Sequence, residues 1–165
     1  MTNLIGGDAA AVKSVGGPVG LGGWLILPII GIVLTPILGV VSLMQSLPDF
    51  QNLGYLEPLQ GGFVVFETAF NALLQLVAPV VLMVFLFGRR LQFPRLYQIF
   101  LATNLVWVIL DLALAYGLFQ SVFATGQAAF WDRETIRALV QAIVGCAIWI
   151  PYMSMSVRVK NTFVN

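Results

Sequence analysis

Histidine is missing from the chain altogether. Its absence removes the commonest haem axial ligand, the commonest zinc ligand and the usual general base near neutral pH. Cysteine occurs once, at Cys146, so no intramolecular disulfide can form. Charge is scarce as well. Asp, Glu, Lys and Arg make up 9% of the residues, where a water-soluble domain carries about 25%. The net charge of +1 is small and dispersed, which excludes the basic stripe that nucleic-acid binding needs. The glycines of residues 6–23 make no phosphate loop, because no Gly-Lys-Ser/Thr and no flanking strand accompany them. No cofactor is expected.

What fills the chain instead is apolar: 59% of 165 residues are hydrophobic and the mean hydropathy is +0.95. A fold of this size with so little polar surface cannot cover itself in water, so lipid is its main solvent. At roughly 20 to 25 residues per span, four spans and short loops use up the length. The expected fold is all-α, an integral membrane four-helix bundle forming one transmembrane domain over residues 1–165, without a soluble catalytic domain. The spans are expected at residues 22–44, 63–87, 96–123 and 135–155. Residues 1–20 lack the early apolar core of a cleavable signal, so the run beginning near Leu21 is expected to be a retained span. No internal repeat is evident.

Within the first span, Pro28 and Pro36 each remove an N–H donor and predict kinks. Gly31, Thr35 and Gly39 recur every four residues and offer a small-residue stripe to another helix. Trp24 stands where an interfacial anchor belongs. Residues 45–63 contain Pro48, Gly54, Pro58 and Gly61-Gly62, which break regular structure, yet their apolar content suits a segment lying in the interface or re-entering the membrane. Pro79 interrupts the second span, and Asp132 is the expected N-cap of the fourth.

Counting cations sets the orientation. With both termini inside, Lys13, Arg89, Arg90, Arg95, Arg158 and Lys160 are cytoplasmic, against Arg133 and Arg137 on the other side. The three arginines of the GRRLQFPR turn read as topology markers that also attract anionic headgroups.

Ionisable groups inside spans cost a few kcal/mol and each needs a reason. Glu67, Asn71 and Gln75 fall at i, i+4 and i+8 of the second span. Asn104 and Asp111 lie seven apart on the third, and Arg133, Arg137 and Gln141 make a stripe on the fourth. Two readings follow for the cluster of Glu67, Asn71, Asp111, Arg137 and Gln141. In one it is an outward-open polar pocket, with Arg137 contacting an anion and Asp111 holding a proton or cation. In the other it is structural, with Arg137 paired to Asp111 or Glu67 and the amides joining helices. Cys146 continues the stripe of Ala138 and Ala142 and reads as packing, since a thiol in hydrocarbon resists ionisation.

Two stretches carry more than composition: GGWLILPIIGIVLTP at residues 22–36 and WIPYMSMSVRVKNTFV at residues 149–164. They resemble the two ends of a family of small four-span bacterial inner-membrane proteins, domain of unknown function 2569. The matching residues are Gly22, Gly23, Trp24 and Leu25, then Trp149, Ile150, Pro151 and Tyr152, then Ser156, Arg158, Val159, Lys160, Thr162 and Phe163. The resemblance implies a multi-pass protein of the bacterial inner membrane and supplies no activity. In physical terms, Trp149 and Tyr152 would anchor the fourth span, and the tail beyond it would lie on the inner leaflet or dock against a partner.

Three functional readings remain. A non-catalytic accessory or assembly subunit, bound to other membrane subunits, is favoured by the missing chemistry and the small-residue stripes. A small transporter or lipid-binding protein, monomeric or homo-oligomeric, would use the polar cluster. A membrane enzyme comes last, because Asp111 with Glu67 is the only carboxylate pair to serve it.

Overall fold

The computed structural model describes residues 17, 19–125 and 130–164. Lys13 lies outside the described residues, as does part of the connection at 124–134. A turn of 3-10 helix at Gly23–Leu25 leads into α1, Ile26–Gln51. A second such turn, Leu53–Tyr55, precedes α2, Pro58–Ala72. A π-helical stretch, Leu73–Val77, joins α2 to α3, Ala78–Phe87, so the three make one continuous rod. After a tight turn come α4 at Phe93–Leu118, the short α5 at Gln120–Ala124, α6 at Arg133–Met155 and α7 at Val157–Thr162.

Four helical stretches are long and apolar enough to cross a membrane: Gly23–Pro48, Pro58–Phe87, Phe93–Leu118 and Arg133–Met155. The chain is an all-α membrane helical bundle, and no strand occurs among the described residues. Large aliphatic side chains such as Ile37, Leu38, Val84 and Ile99 point outward, as they do where lipid replaces water.

The helix bounds depart from expectation where caps and prolines compete. Helix α1 runs on past Met44 and through Pro48 to Gln51, and the Asn52 side chain donates to the Pro48 carbonyl at 3.3 Å. Helix α2 begins five residues before Phe63. Pro58 sits in its first turn, where a missing N–H costs nothing, and Glu57 and Gln60 form a reciprocal capping box. Gly61 and Gly62 are therefore helical, and only residues 52–57 separate the two rods, too few to re-enter the membrane. Helix α4 stops at Leu118 because Phe119 leaves helical geometry (φ −111°, ψ 25°). The Gln60 amide also donates to the Leu118 carbonyl at 2.8 Å, satisfying one orphan group at that helix end.

Pro79 explains the π-helical stretch. A proline ring clashes with the carbonyl four residues earlier, here Gln75, and cannot donate to it. The preceding turn widens instead, and Ala78 donates to the carbonyl of Leu73, five residues back. The first helix crosses this widened turn at Gly39. A Cβ there would lie 2.8 Å from Gln75 Cβ and 2.9 Å from Leu76 Cδ2, so only glycine permits the approach. Gly31, on the same stripe, faces open space, and Thr35 donates to its carbonyl at 2.7 Å. One member of the stripe makes the crossing.

Helix α4 packs along α6, while α1 packs on the π-helical turn and α3. The buried core gathers at the end of the bundle that holds residues 20–25, the α3–α4 turn and α7. It contains Leu25, Leu86, Phe93, Tyr97, Met153, Val159 and Phe163.

Candidate functional site

Two sites emerge, at opposite ends of the bundle. The first is built from the two terminal stretches singled out in the sequence. Ser156 breaks α6 with extended geometry (ψ 122°), and its side chain caps α7 by accepting from Val159 N–H. The turn puts Val159, Thr162 and Phe163 into the core, at 1%, 2% and 1% exposure. Thr162 Oγ1 accepts from Gly20 N–H at 3.0 Å and donates to Arg158 O at 2.7 Å, stitching the start of the fold to its end. Phe163 stacks on Phe93 with centroids 4.7 Å apart, and Phe93 stacks in turn on Tyr97.

The Arg158 guanidinium lies flat against Gly22 and Gly23. A Cβ on either glycine would stand 3.3 Å from it, and Gly23 has φ +64°, a conformation that suits glycine. Leu25 follows, fully buried, while Trp24 turns outward at 72% exposure. Trp149 and Tyr152 meet edge to face at 5.7 Å just before the break. Gly22, Gly23, Leu25, Arg158, Val159, Thr162 and Phe163 thus form one interlocked joint. Lys160 stays exposed beside it.

The second site is a polar cavity of about 550 Å³ in the other half of the bundle. Glu67, Asn71 and Gln75 reach it from α2 and the π-helical turn, Asn104 and Asp111 from α4, and Glu134 and Gln141 from α6. Ser42 of α1 completes one wall. A smaller cleft of about 90 Å³ between α1 and α2 shares Ser42, Glu67, Asn71 and Gln75 with it. Trp107 braces the site by donating from Nε1 to Asn71 Oδ1 at 3.0 Å, with its ring packed against Phe66 and Phe70. Asp111 Oδ1 is buried with no hydrogen-bond partner among the described residues. A buried acceptor left unpaired costs about 1–3 kcal/mol.

The cavity brings together four of the five residues expected to cluster: Glu67, Asn71, Asp111 and Gln141. Arg137 is exposed and does not line it. Its expected pairing with Asp111 fails for a geometric reason. The α6 residues that line the cavity, Glu134, Thr135, Ala138, Gln141, Ala142 and Gly145, centre about 100° round the helix from Arg137. Glu134 and Trp107 were missed. The seven-residue spacing of Glu134 and Gln141, which matches that of Asn104 and Asp111, was the available signal.

Among the described residues the lining therefore has three carboxylates, four amides, hydroxyls and no cation. Among the described residues no group of three or more His, Cys, Asp or Glu side chains is arranged to hold a metal ion. Cys146 does not line the cavity and donates to Leu101 O at 3.3 Å across the α4–α6 contact. Outside the spans, Asp132 accepts from Thr135 N–H at 2.7 Å as the N-cap of α6, and the hydrogen bonds to the Thr135 backbone and side chain hold its carboxyl below the usual aspartate range.

Four membrane-length helices closed by a terminal joint and enclosing a polar cavity define a multi-pass α-helical membrane protein. The chain belongs to the family described as protein of unknown function DUF2569, whose model matches residues 18–164. That match takes in both halves of the joint and every residue of the cavity. Among curated proteins and solved structures, none matches the chain.

Proposed function

We propose that this is a non-catalytic binding protein of the bacterial inner membrane, with both termini cytoplasmic, whose cavity holds a small cationic or hydrogen-bond-donating solute. The observation that carries the reading is the buried, unpartnered Oδ1 of Asp111 in a cavity lined by carboxylates and amides with no cation. A donor from the ligand would supply the missing bond, and an ammonium or similar cation would suit the lining charge. The orientation draws on the cation count, with Arg89, Arg90, Arg95, Arg158 and Lys160 gathered at the terminal end. The cavity then opens towards the periplasmic half. Of the two ligands expected of the cluster, this keeps the proton or cation at Asp111 and drops the anion at Arg137, which does not line the cavity.

The experiment is calorimetric titration of the purified full chain in nanodiscs with methylammonium, ethanolamine and choline. Saturable binding that disappears in Asp111→Asn, with assembly and melting temperature retained, supports the reading. Absence of binding to all three probes, or loss of assembly and a lowered melting temperature in Asp111→Asn, returns the cluster to a structural role. The accessory-subunit role is the second reading. It is favoured by α6, which packs chiefly on α4 and leaves Ile136, Val140, Ile143 and Ile148 about half exposed for lipid or a partner helix. Native mass spectrometry of mildly extracted protein separates the two, since only the second predicts a partner at fixed stoichiometry.

A further inference from the structure

At the terminal end, a cavity of about 480 Å³ opens between the start of α4 and α7, distinct from the polar cavity in both place and charge. Arg95 and Lys160 line it from opposite sides, and among the described residues no acidic side chain does. Both cations are exposed, so their charge is retained at low desolvation cost. The remaining wall is apolar where Met153 and Val159 sit buried at 3% and 1% exposure. Gln98 fixes the geometry by donating to Ile150 O at 3.1 Å and Ser154 Oγ at 2.7 Å, which holds α4 to the last turns of α6.

Among the described residues, charge in the surroundings has the same sign. Arg89, Arg90 and Arg158 are at this end, whereas Asp49, Glu57, Glu67, Asp111, Asp132 and Glu134 all belong to the other half of the helical rods. Arg89 is held at φ +49° in the turn before α4, secured by its N–H donating to Leu86 O at 3.1 Å. Two converging cations beside an apolar wall, at the level where a membrane helix ends, match an anion attached to hydrocarbon. We infer that this cavity binds a phosphate-bearing anion, with Arg95 and Lys160 on the phosphate and Met153 and Val159 along whatever apolar chain it carries. An arginine fork and a lysine point charge are the usual pair for such a group. The inference rests on neither the polar cavity nor its ligand.

The test uses the full chain in nanodiscs of equal phosphatidylglycerol and phosphatidylcholine, with lipid retained on the protein counted by native mass spectrometry. Wild type is expected to retain phosphatidylglycerol selectively. The double variant Arg95→Gln/Lys160→Gln is expected to lose about twenty-five-fold in that preference, at about a fivefold contribution per cation. Arg89→Gln/Arg90→Gln, which removes two cations outside the cavity, is expected to change it little. Inorganic phosphate alone is the second arm. If millimolar phosphate raises the melting temperature of wild type but not of the double variant, and phosphatidylglycerol is not selected, the phosphate is free rather than lipid-borne. The inference is overturned if the two double variants lose the same preference, which would make it general surface charge. Retention unchanged in Arg95→Gln/Lys160→Gln overturns it as well. Arg95→Lys, keeping the charge, is expected to recover most of the binding and guards against a folding artefact.

Discussion

The two ends of this bundle solve different problems with the same helices. The terminal end is packed: Phe163, Val159 and Leu25 are almost fully buried, and an aromatic column runs from Phe163 through Phe93 to Tyr97. The other end is hollow, with polar groups from all four membrane-length rods turned towards one cavity and an acceptor on Asp111 left unpaired. In lipid, apolar side chains gain little by leaving hydrocarbon for a protein core, so helices associate through close packing and polar contacts. A protein can therefore concentrate its tight packing in one region and leave another loosely filled. Here the packed joint holds the rods together, and the cavity is free to carry groups that do nothing for stability.

If that division is right, the largest loss of stability should come from the joint. Phe163→Ala is expected to cost about 3–5 kcal/mol by leaving a cavity against Phe93, measured as a shift in unfolding by a denaturing detergent. A comparable loss from Asp111→Asn would break the comparison, because the cavity would then be structural too. A smaller effect is expected at the helix crossing between the two ends. Gly39→Val is expected to cost about 1–3 kcal/mol by overpacking against Gln75 and Leu76, whereas Gly31→Val, facing open space, should cost nearly nothing in the same assay. Equal effects at both glycines would mean that the stripe acts through another chain.

The smallest expected effect is a pH dependence at the hollow end. Asp132 has its folded-state pKa lowered by accepting from Thr135, so its contribution is present above the ordinary aspartate range and is lost as the pH falls through the folded value. Asn caps a helix about as well but does not titrate. The melting temperature of wild type should therefore fall relative to Asp132→Asn as the pH drops below about 4, with no difference at neutral pH.

Much of this was legible in the sequence, for reasons tied to particular residues. The four rods are long apolar runs that nothing but lipid would solvate, and Asp132 advertises a cap. Glu67, Asn71 and Gln75 repeat at a spacing that must share a helix face. The two terminal motifs could be seen, but their contact could not, because a separation of 142 residues between Gly20 and Thr162 leaves no periodic trace. Helix ends were misplaced where Pro48 and Gly61-Gly62 suggested breaks, since a proline carbonyl partner and a capping box outweighed them. Arg137 was misassigned because its four-residue spacing to Gln141 was read as a shared face, whereas Gln141 stands at one edge of the α6 lining and the rest of it lies on the far side from Arg137.

The widened turn at Leu73–Val77 has a consequence in phase. On an unbroken α-helix at about 100° per residue, Leu82 and Leu86 would stand about 60° and 100° away from Glu67. One residue absorbed by the π-helical turn brings them back to within about 40° of it, and both are buried, at 3% and 0% exposure. A single helix can thus present carboxylate and amide to the cavity at one end and leucine to the joint at the other, all towards the same neighbours. The proline acts as a register key between two halves with different work to do.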